Sequence, residues 1–188
     1  MRRQAGAVLI AVFALAACAP TGGGGPVVWL IPAGSHDATG ATASLRTSDV
    51  IAFSTRFDAS AQYSTIDPVN QFDINKLRGF SDCSAHHQTD SARFGWRWTT
   101  DRVEIFAYDY VGGERQSALL GSVQPGVWHD YRIDAIATGY LFTLDGIVTA
   151  MPRGCSDLGL AKYELWPYFG GDEVAPHAIS IEIDEHSA

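Results

Sequence analysis

Arg93, Arg97 and Glu104 sit among six aromatic residues in SARFGWRWTTDRVEIFAYDY, Ser91–Tyr110. A guanidinium fork binds hydroxyls or carboxylates through parallel N–H donors. Aromatic rings cover the apolar C–H faces of sugars. Together these side chains fit a carbohydrate that carries acidic groups. FSDCSAHHQTD, just upstream, adds His86 and His87, and imidazole moves protons near neutral pH. Elimination on a uronate needs carboxylate neutralisation, a base and an acid. Arg93 suits the first role, His86 or His87 the second, and Tyr108 or Tyr168 the third. The same residues also serve a binding face without turnover, or plain packing under a covering loop.

Other ligand chemistries have weaker support. Cys83, His86, His87 and Cys155 offer sulfur and nitrogen for zinc, but the paired cysteine spacings of a zinc ribbon do not occur. Asp67, Asn70, Asp73 and Asn75 in DPVNQFDIN offer oxygens to calcium, and equally an Asx-rich turn. No other cofactor is expected. GGGG precedes no strand–helix unit that would cradle a phosphate, and Ser-His-Asp chemistry has no local signature. YELWPYFGGDE adds Trp166 as a flat platform for a sugar or as core, and Pro167 there marks a sheet edge or bulge.

The elements that must position these groups read as strands. VIAFSTRF alternates Ile51, Phe53, Thr55 and Phe57 on one side. Tyr131, Ile133 and Ala135 alternate with Asp130, Arg132 and Asp134, and Ile179, Ile181 and Ile183 repeat the pattern. Asp145-Gly146 is a two-residue hairpin signal, because both residues tolerate positive φ. Short strands at turn-punctuated spacing predict an all-β antiparallel sandwich or jelly roll. Placing a turn at Thr100-Asp101 pairs Trp98 with Val103, Trp96 with Ile105 and Phe94 with Ala107. That face is apolar and is assigned to the core. The other face pairs Arg97 with Glu104, Gly95 with Phe106, Arg93 with Tyr108 and Ser91 with Tyr110. Phe106 beside Gly95 predicts a shallow space above the sheet. A one-residue slip would ruin both faces.

The chain has a formal net charge of −8, and its only lysines are Lys76 and Lys162. It therefore lacks the basic footprint of a nucleic-acid binder and a polybasic patch for anionic lipid. Residues 1–17 have a charged start and an apolar run too short for a comfortable span, the pattern of a signal peptide. Leu15-Ala16-Ala17-Cys18 resembles the lipobox of bacterial lipoproteins. The resemblance implies cleavage before Cys18 and lipid on it. Ala19, in place of Asp, implies sorting to the outer membrane. An ordinary cleaved signal with a free cysteine is the alternative. Residues 18–26, rich in glycine, would then be a tether, and 27–188 one domain. With Cys18 lipidated, Cys83 and Cys155 remain to form a disulfide in an oxidising compartment.

With the strands placed, the chain resembles the concanavalin A-like lectin/glucanase superfamily. PGVWHDYRIDAIATGYLFTLDGI carries the likeness, and WPYFGGDEVAPHAISIEIDE looks like a last concave strand, a loop and a final edge strand. NKLRGFSDC, SARFGWRW and PYFGGDEVAPH resemble a bacterial lipoprotein branch of unassigned activity. The superfamily hosts lectins, lyases, hydrolases and adhesion modules, so the likeness implies fold before function. Its laminarinase-type hydrolases use a Glu-x-Asp-x-x-Glu set. IEIDE does not reproduce it on a central concave strand, and Glu104 is expected to pair with Arg97. Its alginate-lyase-like branch carries Arg-x-Glu-x-Arg. Arg93 and Arg97 keep that spacing, but Gly95 replaces the glutamate, and neither Gln-Ile-His nor Tyr-Phe-Lys follows. The leading expectation is an envelope-anchored domain that binds polysaccharide on its concave sheet. Its binding residues would be Arg93, Phe106, Tyr108, Tyr110 and Trp166, with His87 at the rim. A polysaccharide lyase on the same face and a structural envelope protein without ligand are the alternatives.

Overall fold

Among the described residues, apolar–polar alternation is realised as twelve strands in two antiparallel sheets. The structure is a computed structural model that describes residues 25–186. The expected signal peptide, Cys18 and most of the expected glycine tether lie outside the described residues. The first sheet runs in the order β1 (Val27–Ile31), β12 (Ile179–His186), β3 (Val50–Phe57), β8 (Trp128–Ile136), β9 (Gly139–Leu144), β10 (Ile147–Met151). The second runs β2 (Leu45–Arg46), β11 (Lys162–Leu165), β4 (Asn75–Ser81), β5 (Ser91–Thr99), β6 (Arg102–Val111), β7 (Glu114–Val123). Among the described residues, helix is limited to two short 3₁₀ segments, Ala59–Ala61 and Pro68–Phe72. No helix among the described residues is long and apolar enough to cross a membrane.

The core lies between the sheets and is built from the predicted faces. Ile51, Phe53, Thr55 and Phe57 are buried from β3, and Ile179, Ile181 and Ile183 from β12. Tyr131 stacks on Phe53 at 5.2 Å, and Phe94 meets Phe53, Tyr131 and Phe142 edge-on. Such offset and edge contacts are the favoured aromatic geometries. The β5–β6 register matches the expected one at every pair, from Ser91 opposite Tyr110 to Trp98 opposite Val103. Phe94 and Trp96 are fully buried, while Trp98, at the hairpin end, is half-buried against the same core. β9 and β10 turn at Asp145-Gly146, both at positive φ.

The structure corrects the reading of the last strand. β12 is not an edge, because β1 pairs along its outer side. Its acidic residues therefore belong to the sheet opposite Arg93.

Covalent and ionic ties hold the 82–90 loop. Cys83 and Cys155 form a disulfide with a Cα–Cα distance of 5.8 Å. The bond consumes both thiols, so a zinc site on them has no sulfur ligand. Beside it, Asp82 is buried and accepts hydrogen bonds from Arg153 at 2.6 and 3.1 Å and from Tyr140 Oη at 2.8 Å. Lys162 lies 3.4 Å from Asp82 and 2.7 Å from Asp49. A buried carboxylate is tolerable only when matched in this way. The Arg153 hydrogen bonds are the main influence holding the Asp82 carboxyl below its ordinary range against the opposing effect of burial.

A hollow around Arg93 on the second sheet

Arg93 projects from β5 on the outer face of the second sheet, opposite Tyr108 of β6. Two local features of β4 make room for it. The β4–β5 register shifts between Lys76 and Gly79, a bulge of the kind that re-aims side chains. Gly79 then lies opposite Arg93, and a Cβ there would fall 2.3 Å from the Cβ of Arg93. Only glycine fits. Lys76, on the other side of the bulge, pairs with Gly95 and reaches the same space. A Cβ at Gly170 would come 2.8 Å from Lys76 Nζ, so a second glycine seats the second cation.

The result is a hollow of about 240 Å³ lined by Lys76, His87, Gln88, Arg93, Tyr108, Tyr110 and Tyr168. It adjoins a second hollow of about 320 Å³ that shares His87, Arg93 and Tyr168 and adds Asp37, Thr42, Glu164 and Trp166. Arg93 is only 9 % exposed. Its Nε is buried without a hydrogen-bond partner. Burial lowers its pKa, and the groups that oppose this are four tyrosines, Tyr108, Tyr110, Tyr163 and Tyr168, rather than a carboxylate. Its guanidinium lies 5.2 Å from the Tyr108 ring centre, and Lys76 Nζ lies 4.7 Å from the same ring. Cation–π contacts of this kind offset only part of the cost of burying a charge.

The neighbouring groups titrate accordingly. Burial, reinforced by Arg93 and Arg115, brings Lys76 down to about 8. Burial, together with Arg93 and His86, brings His87 down to about 4, so its imidazole is neutral at neutral pH. The Tyr163 hydroxyl lies 2.8 Å from His87 Nδ1 and accepts the His87 backbone N–H at 2.8 Å. Burial, with Tyr110 next in effect, raises Tyr108 to about 12, so its phenol stays protonated.

The other expected residues divide. Tyr108, Tyr110 and His87 join Arg93 in the first hollow, and Trp166 lines the second. Phe106 does not join them. It is 7 % exposed, Arg97 lies 4.9 Å over its ring, and the space above Gly95 is filled by Ile74. The shallow space expected there is closed by the segment leading into β4. Trp166 is not a free platform either. Trp29 stacks on its ring at 4.5 Å and Arg78 lies 3.8 Å over it. Trp166 Nε1 also donates to the Thr42 carbonyl at 2.8 Å, so the indole is held in place by its neighbours. His86 is exposed and turned away, and only His87 reaches Arg93's surroundings.

Arg97 is spent as expected, 2.7 Å from Glu104, with a further hydrogen bond to the Phe72 carbonyl. Within the turn segment, Asp67 caps the second 3₁₀ helix, Asn70 donates to Glu173, and Asn75 donates to Tyr63 Oη and accepts from Gly170 N–H. Lys76, Gln88, Tyr163 and Asp37 were not among the expected binding residues. Lys76 left one trace in the sequence, its being one of only two lysines, but its place beside Arg93 was not readable.

No protein-family model matches the sequence, and no curated protein sequence does. Solved structures do match in shape. Alginate lyase AlyC3 superposes with a TM-score of 0.59 at 8 % identity, over 86 % of this chain and 74 % of that one. A laminarinase from Flavobacterium sp. UMI-01 gives 0.53 at 11 %, over 85 % and 76 %. The polysaccharide lyase family 18 protein aly-SJ02 r-CATD gives 0.50 at 7 %, over 90 % and 91 %. The fold is the concanavalin A-like jelly roll. At these identities the likeness is one of fold. In this jelly roll the hollow is built by β4, β5 and β6, the loop before β5 and the segment after β11.

Proposed function

We propose that this jelly roll binds an acidic polysaccharide on the outer face of its second sheet, with a uronate carboxylate seated on Arg93. One observation carries the reading. Arg93 is a buried guanidinium without a carboxylate partner among the described residues, at the floor of an open hollow. A buried ion left unmatched costs several kcal/mol, on the order of what a bound anion would return. Lys76 adds a second cation in a protein of net charge −8. Lyases and glucanases sharing the fold support a carbohydrate ligand. The lipobox-like Leu15-Ala16-Ala17-Cys18 supports a place at the bacterial outer membrane, held by lipid on Cys18. A panel of uronate-containing and neutral glycans tests the binding: uronate polymers are retained by the native protein and lost with Arg93→Ala. Retention of neutral glycans alone would refute the reading.

A second reading, a polysaccharide lyase, is favoured by the neutral His87 imidazole beside Arg93 and the tyrosine hydroxyls around it. Arg93 would neutralise the carboxylate, His87 would take the proton beside it, and Tyr108 or Tyr168 would protonate the leaving oxygen. Incubation with uronate polymers separates the two: growing ultraviolet absorbance from an unsaturated sugar end marks turnover, and a flat trace marks binding alone. A hydrolase reading has less support, because among the described residues Glu104 is held by Arg97, and Glu164, beside Asp37 in the second hollow, by Arg78 and Arg46 at 3.0 and 3.6 Å.

A further inference from the structure

The two hollows that share Arg93 differ in charge. The first holds both cations, Lys76 and Arg93, and no carboxylate lines it. Arg115 adds positive potential from the neighbouring strand, since it acts on Lys76 and Tyr108. The second is lined by two carboxylates, Asp37 and Glu164, and by no cation beyond the shared Arg93. Glu164 is matched by Arg78 and Arg46. Asp37 is not: its residue is exposed and no ion pair to it forms among the described residues. A ligand long enough to fill both hollows therefore meets donors in one and an unspent carboxylate in the next. Like charges placed opposite one another suppress wrong partners, and specific sites use such repulsion together with attraction.

We propose that the glycan alternates in charge, with a uronate over Lys76 and Arg93 and a neutral sugar beside Asp37. This rests on the assignment of Arg93 as the carboxylate seat. A neutral unit presents hydroxyl or amide N–H donors, which the Asp37 carboxylate accepts. A second uronate at the same place brings two carboxylates together with no cation beyond Arg93, which the first uronate already engages. The preferred class is an alternating uronate–neutral copolymer, and a homopolymer of uronate is the disfavoured one.

The test compares two soluble oligosaccharides of equal length by calorimetry on the intact domain. One alternates glucuronate with N-acetylglucosamine, and the other is oligogalacturonate. The alternating ligand binds about five-fold tighter or better, the value of one like-charge contact in water-rich surroundings. Asp37→Asn, isosteric and on an exposed residue, narrows that ratio toward one. Equal or tighter binding of the homopolymer by the native protein overturns the proposal, as does a ratio that Asp37→Asn leaves unchanged. Arg93→Met separates the two levels. If the homopolymer is preferred and Arg93→Met abolishes its binding, the seat stands and alternation fails. If binding of both ligands survives Arg93→Met, the seat itself is wrong.

Discussion

Replacing Arg93 with methionine is expected to make the protein more stable and unable to bind the proposed uronate glycan. Arg93 is 9 % exposed, its Nε has no partner, and tyrosines rather than carboxylates offset its charge. The desolvation penalty of such an ion is several kcal/mol after relaxation. The cation–π contact with Tyr108, at 5.2 Å, returns about 1–2 kcal/mol. Methionine keeps much of the apolar stem and removes the charge. The net expectation is a gain of about 2 kcal/mol, or roughly 4–8 °C in Tm for a domain of this size. Arg97, four residues on, supplies the control. It is paired with Glu104 at 2.7 Å and bonded to the Phe72 carbonyl. Arg97→Met strands both partners and lowers Tm. Differential scanning calorimetry of the two variants at low salt reads both signs. If Arg93→Met destabilises as much as Arg97→Met, the guanidinium is already satisfied and the argument for a missing anion fails.

Three more perturbations follow from the same geometry. Asp109 is fully buried on the inner face of β6 with neither carboxylate oxygen partnered, and burial raises it to about 7. Its folded value lies above its unfolded one, so the stability this group contributes is fully present below about pH 4 and is lost as pH rises through about 7. Asp109→Asn should remove this slope, gaining up to about 4 kcal/mol over the native protein at pH 8, and a difference independent of pH would contradict it. Reduction of the Cys83–Cys155 bond, which closes a separation of 72 residues, should cost about 4 kcal/mol in the chain-entropy account and lower the denaturation midpoint. Gly79→Ala puts a Cβ 2.3 Å from that of Arg93 and should cost about 1–3 kcal/mol and weaken ligand binding, measured by urea titration and calorimetry. Unchanged binding would show that the bulge does not seat Arg93.

The hairpin was legible because its two faces constrain each other. A period-two pattern with apolar residues at Phe94, Trp96, Val103, Ile105 and Ala107 permits one register, and the structure has it. His87 was legible as well, since its loop precedes β5 directly. Lys76 and Tyr163 were not, because their arrival depends on β4 and β11, which pair across long stretches of chain. The bulge in β4 carries no period that sequence alone would expose. Phe106 and Trp166 were misread for a common reason. Phe106 lies on the outer face of β6 and Trp166 just after β11, but Ile74, Arg97, Trp29 and Arg78 arrive from elsewhere to cover them. A face can be read from alternation, whereas what later covers that face depends on tertiary contacts.

A crystal structure with a bound uronate oligosaccharide tests the central claim most directly. The account places a carboxylate within hydrogen-bond distance of the Arg93 guanidinium, between Lys76 and Tyr168. A sugar bound on the first sheet, or one that crosses the second sheet with Arg93 left unpaired, would contradict it.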